Sequence, residues 1–204
     1  MSGTSVVSMI RTALTALACV TGAACDAGRN APSSAQRTCG VATPTLVTGS
    51  GIGALRIGAR TRDIRRLCDV ASDSTAKDAR AVPQRVMRVR IGGGIVVADI
   101  VRDSVWRLTI TDSTLRTSDG LGVGTTLASL VEMPGVSGIN GDGAVFVVLK
   151  PRCGLSFGLD HRADNLFYRG LTIDRSVLLS AEPSTQVDRI VVFGCARSTP
   201  SAIG

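Results

Sequence analysis

Two stretches of this chain share a glycine-centred pattern that limits what it can fold into. Ile57-Gly58-Ala59-Arg60-Thr61-Arg62-Asp63-Ile64 and Val123-Gly124-Thr125-Thr126-Leu127-Ala128-Ser129-Leu130 each set a β-branched residue before a Gly and an apolar residue six positions after it. A Gly-rich turn precedes each, Ser50-Gly51-Ile52-Gly53 and Asp119-Gly120-Leu121-Gly122. Residues 61–68 and 126–133 then read as short helices, with Thr125 or Thr126 placed to cap the second and Pro134-Gly135 to end it. β-rich runs follow both: RVMRVRI, GIVVADIV and SVWRLTI after the first, AVFVVLK, GLSFGLD and VDRIVVF after the second. This pattern predicts an α+β fold of two tandem modules, each a short helix packed on an antiparallel sheet of three to four strands. The modules span residues 50–117 and 118–197, and 198–204 form a tail.

The glycines of Leu115–Leu130 also invite comparison with a phosphate-cradling loop. No Lys-Ser or Lys-Thr follows them, which excludes a P-loop. A dinucleotide fingerprint needs a βαβ unit with an acidic residue about twenty positions on. Here Asn140 and Asp142 fall in a polar turn between antiparallel runs. The glycines therefore answer to backbone needs, and no cofactor is expected.

The N-terminus sets the compartment. In MSGTSVVSMIRTALTALACVTGAAC the only charged side chain is Arg11, and residues 12–24 form a small apolar run too short to span a bilayer. Residues 1–24 read as an export signal, with Gly22-Ala23-Ala24 before Cys25 resembling a bacterial lipobox. That resemblance implies lipid attachment at Cys25, although Gly22 stands where the pattern favours Leu. Ala16-Leu17-Ala18-Cys19 is a second candidate, and plain cleavage near Ala24 is the alternative. Residues 25–49, rich in Ala, Ser, Thr, Gly and Pro, read as a flexible tether.

Cys39, Cys68, Cys153 and Cys195 remain after the signal and lipid candidates. An even number in an exported chain points to two disulfides. Four cysteines allow three pairings, and Cys39–Cys68 with Cys153–Cys195 is favoured because each joins segments expected to be neighbours. With one His and no Cys-x-x-Cys, neither a zinc site nor a thioredoxin-type centre is expected.

Charge is uneven. The net charge is +7, and residues 56–90 hold ten basic and four acidic side chains. Arg60, Arg62, Arg65, Arg66, Arg88 and Arg90 form a candidate patch for an acidic protein or an anionic lipid surface. Arg outnumbers Lys by 21 to 2, which reflects codon habit rather than function. Nucleic acid is not expected outside the cytoplasm, and no aromatics interleave with these charges.

The Val-Gly-x-Thr segment with Leu130, and Gly154–Leu159 followed by Val187–Val192, resemble the SmpA/OmlA lipoproteins of outer-membrane assembly and the tandem modules of beta-lactamase inhibitory protein. Ile57-Gly58 with Ile64 is the weaker copy. The resemblance covers about residues 50–195 and implies a non-catalytic protein that binds other proteins or scaffolds envelope complexes. It departs from the pattern in having two copies, few aromatics and an inserted loop at 162–184.

Two enzyme readings compete. His161 has Asp160 and Asp164 near it, but no Gly-x-Ser-x-Gly elbow exists. Gly194-Cys195-Ala196-Arg197 resembles the nucleophile segment of L,D-transpeptidases, which would make the chain a peptidoglycan-modifying cysteine enzyme. A disulfide at Cys195 would remove that nucleophile. A soluble secreted inhibitor is the third reading. Alternation over residues 104–110 places Trp106 with Leu108 and Ile110, so core packing is expected for it.

Overall fold

The structure is a computed structural model that describes Cys39 and residues 46–77 and 81–195. The signal segment 1–24, Cys25 and the tail 198–204 lie outside the described residues. Of the segment read as a tether, residues 46–49 belong to the fold, and Cys39 is buried with its carbonyl accepting the Ala54 N–H.

The expectation of two tandem helix-on-sheet modules is overturned. The described chain is mostly β, with one nine-stranded antiparallel sheet, a three-stranded sheet and a few short helices. The small sheet is β1 (Val47–Thr48), β2 (Gly51–Ile52) and β3 (Leu55–Arg56). Helix α1 (Thr61–Leu67) leads into the meander β4 (Asp69–Lys77), β5 (Pro83–Ile91), β6 (Gly94–Val101) and β7 (Ser104–Ile110). Helix α2 (Leu127–Val131) leads into β8 (Val136–Gly141), β9 (Ala144–Leu149) and β10 (Leu155–Leu159). A 3-10 helix (His161–Arg169), β11 (Thr172–Ile173) and α3 (Arg175–Leu178) come before the last strand, β12 (Val187–Val192). The sheet order is β11-β8-β9-β10-β12-β7-β6-β5-β4.

The seam explains why there are not two modules. β12 pairs with β7, Val191 opposite Thr109, so the two meanders share one hydrogen-bonded sheet and one core. At seven and five residues, the helices are too short to cover a sheet alone. Each buries one small apolar face, Ile64 from α1 and Leu127, Leu130 and Val131 from α2. The inserted loop is part of the core layer, with Ala163, Leu166, Ile173 and Leu178 all buried.

What the two Gly segments share is a backbone device. Gly58 and Gly124 sit at φ +84° and +85°, open to Gly and strained for other residues. The Gly58 N–H donates to the Val105 carbonyl at 2.7 Å, and Val105 N–H donates back to Ala59 at 3.0 Å. In the second segment Gly124 donates to Val187 at 2.8 Å and Val187 to Thr125 at 2.9 Å. Each turn thus docks on the first residues of its meander's last strand. Thr126 caps α2, its hydroxyl accepting the Ser129 N–H at 3.2 Å.

Alternation divides the sheet into two faces. Met87, Val89, Ile91, Val96, Ala98, Leu108, Ile110, Phe157, Ile190 and Val192 point to the core that also holds Ile64 and Leu130. Val86, Phe146 and Val191 are buried too, yet they stand outside that core. They alternate with core residues and so belong to the opposite face, whose middle is therefore sunken.

Candidate binding groove on the outer sheet face

The sunken middle of the outer face is a groove of about 590 Å³. Its floor is a registered row of small side chains, Thr109 opposite Val191 and Val191 opposite Ser156. The row crosses the strands, which stand about 4.8 Å apart. One wall is Trp106, Arg107 and Phe193, and the other is Arg189, Phe146 and Ile139. Three of the chain's six aromatic residues line it.

Two β-bulges build the walls. The β6–β7 register shifts between Asp99 and Ile100, so Asp99 faces Arg107 while Ile100 faces Val105, and Trp106 is the extra residue. Trp106 is therefore carried to the outer face with Arg107, and it is 37% exposed rather than in the core as alternation predicts. The β10–β12 register shifts in the same way between Gly158 and Leu159, which makes Asp188 the extra residue and places Arg189 opposite Gly158. Val105-Trp106-Arg107-Leu108 and Val187-Asp188-Arg189-Ile190 thus occupy equivalent places. This Val-x-Arg-apolar repeat was a signal for the two groove arginines that the reading of the sequence missed.

Both arginines lie over rings. The Arg107 guanidinium carbon is 4.8 Å from the Trp106 ring centre, and that of Arg189 is 5.5 Å from Phe146. Trp106 and Phe193 are tilted partners with centroids 6.0 Å apart. Gly158 leaves the room that Arg189 fills, since a Cβ there would come within 2.7 Å of the Arg189 Cγ. Arg107 donates through Nε to the buried Asp99 at 2.5 Å and through a terminal nitrogen to Asp142 at 2.6 Å. Among the described residues the carboxylate partner of Arg189 is Asp188, at 3.5 Å. Burial raises the Asp188 carboxyl above its usual range, with Arg189 opposing and nearby Asp160 reinforcing the shift.

The arginine patch is split by the sheet. Arg60 stands at the N-terminal boundary of α1 without a side-chain capping bond, and Arg62, Arg65 and Arg66 ride on the helix, on the core side. Arg88 and Arg90 alternate with Met87, Val89 and Ile91 and therefore point to the outer face. Arg62, Arg65, Arg66 and Arg90 have carboxylate partners in Asp63, Asp73, Asp63 and Asp69. Arg85 donates to Asp73 and Asp103 as well, and hydrogen bonds from Arg85 and then Arg65 hold the Asp73 carboxyl below its usual range. Most of the helix-side positive charge is thus answered within the chain.

Cys39 is bonded to Cys68, and Cys153 to Cys195. With its sulfur in a disulfide, Cys195 offers no thiolate for a transpeptidase-type attack. His161 is exposed and lies at the far end of β10 from that disulfide, about 13 Å of strand at 3.3 Å per residue. The structure does not bring the two together. No group of three or more His, Cys, Asp or Glu side chains with metal-holding geometry occurs among the described residues. No described helix is long and apolar enough to cross a membrane.

No family model matches this sequence, and no curated protein matches it. The fold is similar to that of the uncharacterized protein yfeY from Escherichia coli in its crystal structure, with a TM-score of 0.52 and 15% identity. The match covers 73% of this chain and 99% of that one. At that identity the likeness defines the architecture alone, a fold class shared with yfeY.

Proposed function

We propose that this chain is a non-catalytic binding module of the bacterial cell envelope, exported, held to a membrane by lipid on Cys25, and docking a partner protein in the groove of its outer sheet face. The observation that carries this reading is the groove itself, where aromatic and arginine side chains concentrate on a face that none of the described helices covers. Aromatic residues and Arg dominate the energetics of protein interfaces, and half-exposed apolar side chains around a sunken centre are the form such sites take. The two disulfides fit an oxidising compartment.

The test places a photo-crosslinking amino acid at Trp106 or, on the other side of the sheet, at Arg62, in the full chain produced in bacterial cells. A discrete crosslinked product from position 106 and none from position 62 is the expected result. Equal labelling from both positions would defeat the groove as the docking face. Intact mass of the membrane-purified protein decides the anchor separately. A mass that begins at Cys25 with acyl chains supports the lipoprotein, and a lipid-free mass makes the protein a soluble secreted one.

A further inference from the structure

The groove already holds a carboxylate of its own. Asp142 sits at the tip of the β8–β9 turn, its backbone in the left-handed region at φ +48° and its side chain 55% exposed. It meets Arg107 at 2.6 Å although three strands, β9, β10 and β12, separate β8 from β7 in the sheet. The sheet therefore curls so that this turn reaches over the groove. The other partner of Arg107, Asp99, is fixed. It is buried and lies directly opposite Arg107 in the adjoining strand. One guanidinium thus bears two carboxylates, a buried one fixed within the sheet and an exposed one at a surface turn.

We infer that the groove recognises a partner segment in which an Asp or Glu stands beside apolar residues, and that Asp142 fills the acidic position when the partner is absent. The inference rests on reading the groove as the docking site. The incoming carboxylate takes the terminal nitrogen of Arg107 in place of Asp142, in the same charge-assisted geometry. The neighbouring apolar side chains seat against Trp106 and Phe193 on one wall and Phe146 on the other. Arg189, paired with Asp188 at 3.5 Å and lying over the Phe146 ring, is the second guanidinium lining the groove.

Trp106 is the only tryptophan in the chain, so its fluorescence reports on the groove alone. The full disulfide-bonded protein is titrated with acetyl-Leu-Glu-Leu-amide and with its Leu-Gln-Leu counterpart. The Glu peptide is expected to shift Trp106 emission saturably, and the Gln peptide to bind roughly ten-fold more weakly, the loss that removing one charge-assisted hydrogen bond gives. Asp142→Asn should tighten binding of the Glu peptide several-fold, because no internal carboxylate competes. Arg107→Gln should abolish the preference for Glu over Gln. Equal binding of the two peptides would overturn the acidic preference and leave the groove reading standing. An Asp142→Asn affinity that is unchanged or weaker would overturn the role given to Asp142. Silence of Trp106 toward both peptides would overturn both this inference and the groove as docking site.

Discussion

At the scale of single residues, the outer face differs from the core in how it treats charge. Asp99 is buried but directly paired, whereas Asp188 is held in a bulge with one oxygen, Oδ1, that is buried and has no hydrogen-bond partner among the described residues. Burial lifts the Asp188 carboxyl above its unfolded value. A raised acid contributes no penalty below the unfolded value near 3.9, and its cost appears as pH rises through the folded value. Asp188→Asn is therefore expected to raise Tm at pH 7 by about 1–3 °C, with the gain vanishing below about pH 4. Melting curves at the two pH values check this, and an equal gain at both would show that ionisation has no part in it. Trp106 marks how far a single residue can be read from sequence. Its β-branched and aromatic neighbours announce a strand, but the bulge that turns it outward depends on pairing with Asp99 and Ile100 in another strand. No local pattern carries that information.

At the scale of elements, legibility followed polarity. The six apolar runs chosen from the sequence correspond to β5, β6, β7, β9, β10 and β12. β4 and β8 are hard to read because the few β-formers in DVASDSTAK and VSGING are diluted by Asp, Ser, Ala, Gly and Asn. Both polar sequences have a place in the sheet. β4 is an edge strand with one solvent-facing side, where charge discourages pairing with another chain. β8 contains Gly138, where a Cβ would come within 2.9 Å of Ile173. The groove was illegible for a related reason. Trp106 and Phe193 are distant in sequence, and the abundance of Arg hides the two arginines that line the groove. Glycine at position 158 couples an element to the groove. Gly158→Ala should displace Arg189 from the Phe146 ring and cost about 1–3 kcal/mol. Chemical denaturation measures the cost, and loss of the Arg189 contact would appear as altered shifts of the Phe146 ring in NMR spectra. Wild-type stability with an unmoved ring would refute the close packing.

At the scale of the whole molecule, the seam between β7 and β12 makes one cooperative unit out of two similar meanders. Leu108 lies on the seam, fully buried and opposite Val192. Leu108→Ala removes packing that both halves share and is expected to cost about 2–5 kcal/mol. Calorimetry should show one transition that shifts as a whole, with calorimetric and van't Hoff enthalpies equal. Hydrogen exchange that loosens residues 69–110 while leaving residues 136–159 protected would mean that the halves fold apart. The duplicated Gly segments suggested separable modules because they describe how each meander begins. The seam lies at the strands where each meander ends, and pairing between strand ends leaves no mark on local sequence.

The position of β12 also sets the order in which the molecule can be completed. It is the last of the described strands and lies in the middle of the sheet, flanked by β7 and β10. Until residues 187–192 are free of the machinery that makes or moves the chain, both flanking strands present unpaired backbone. The groove does not exist before then, because Arg189 and Phe193 have not arrived. The groove is completed in a single late step, when β12 slots between two waiting edges.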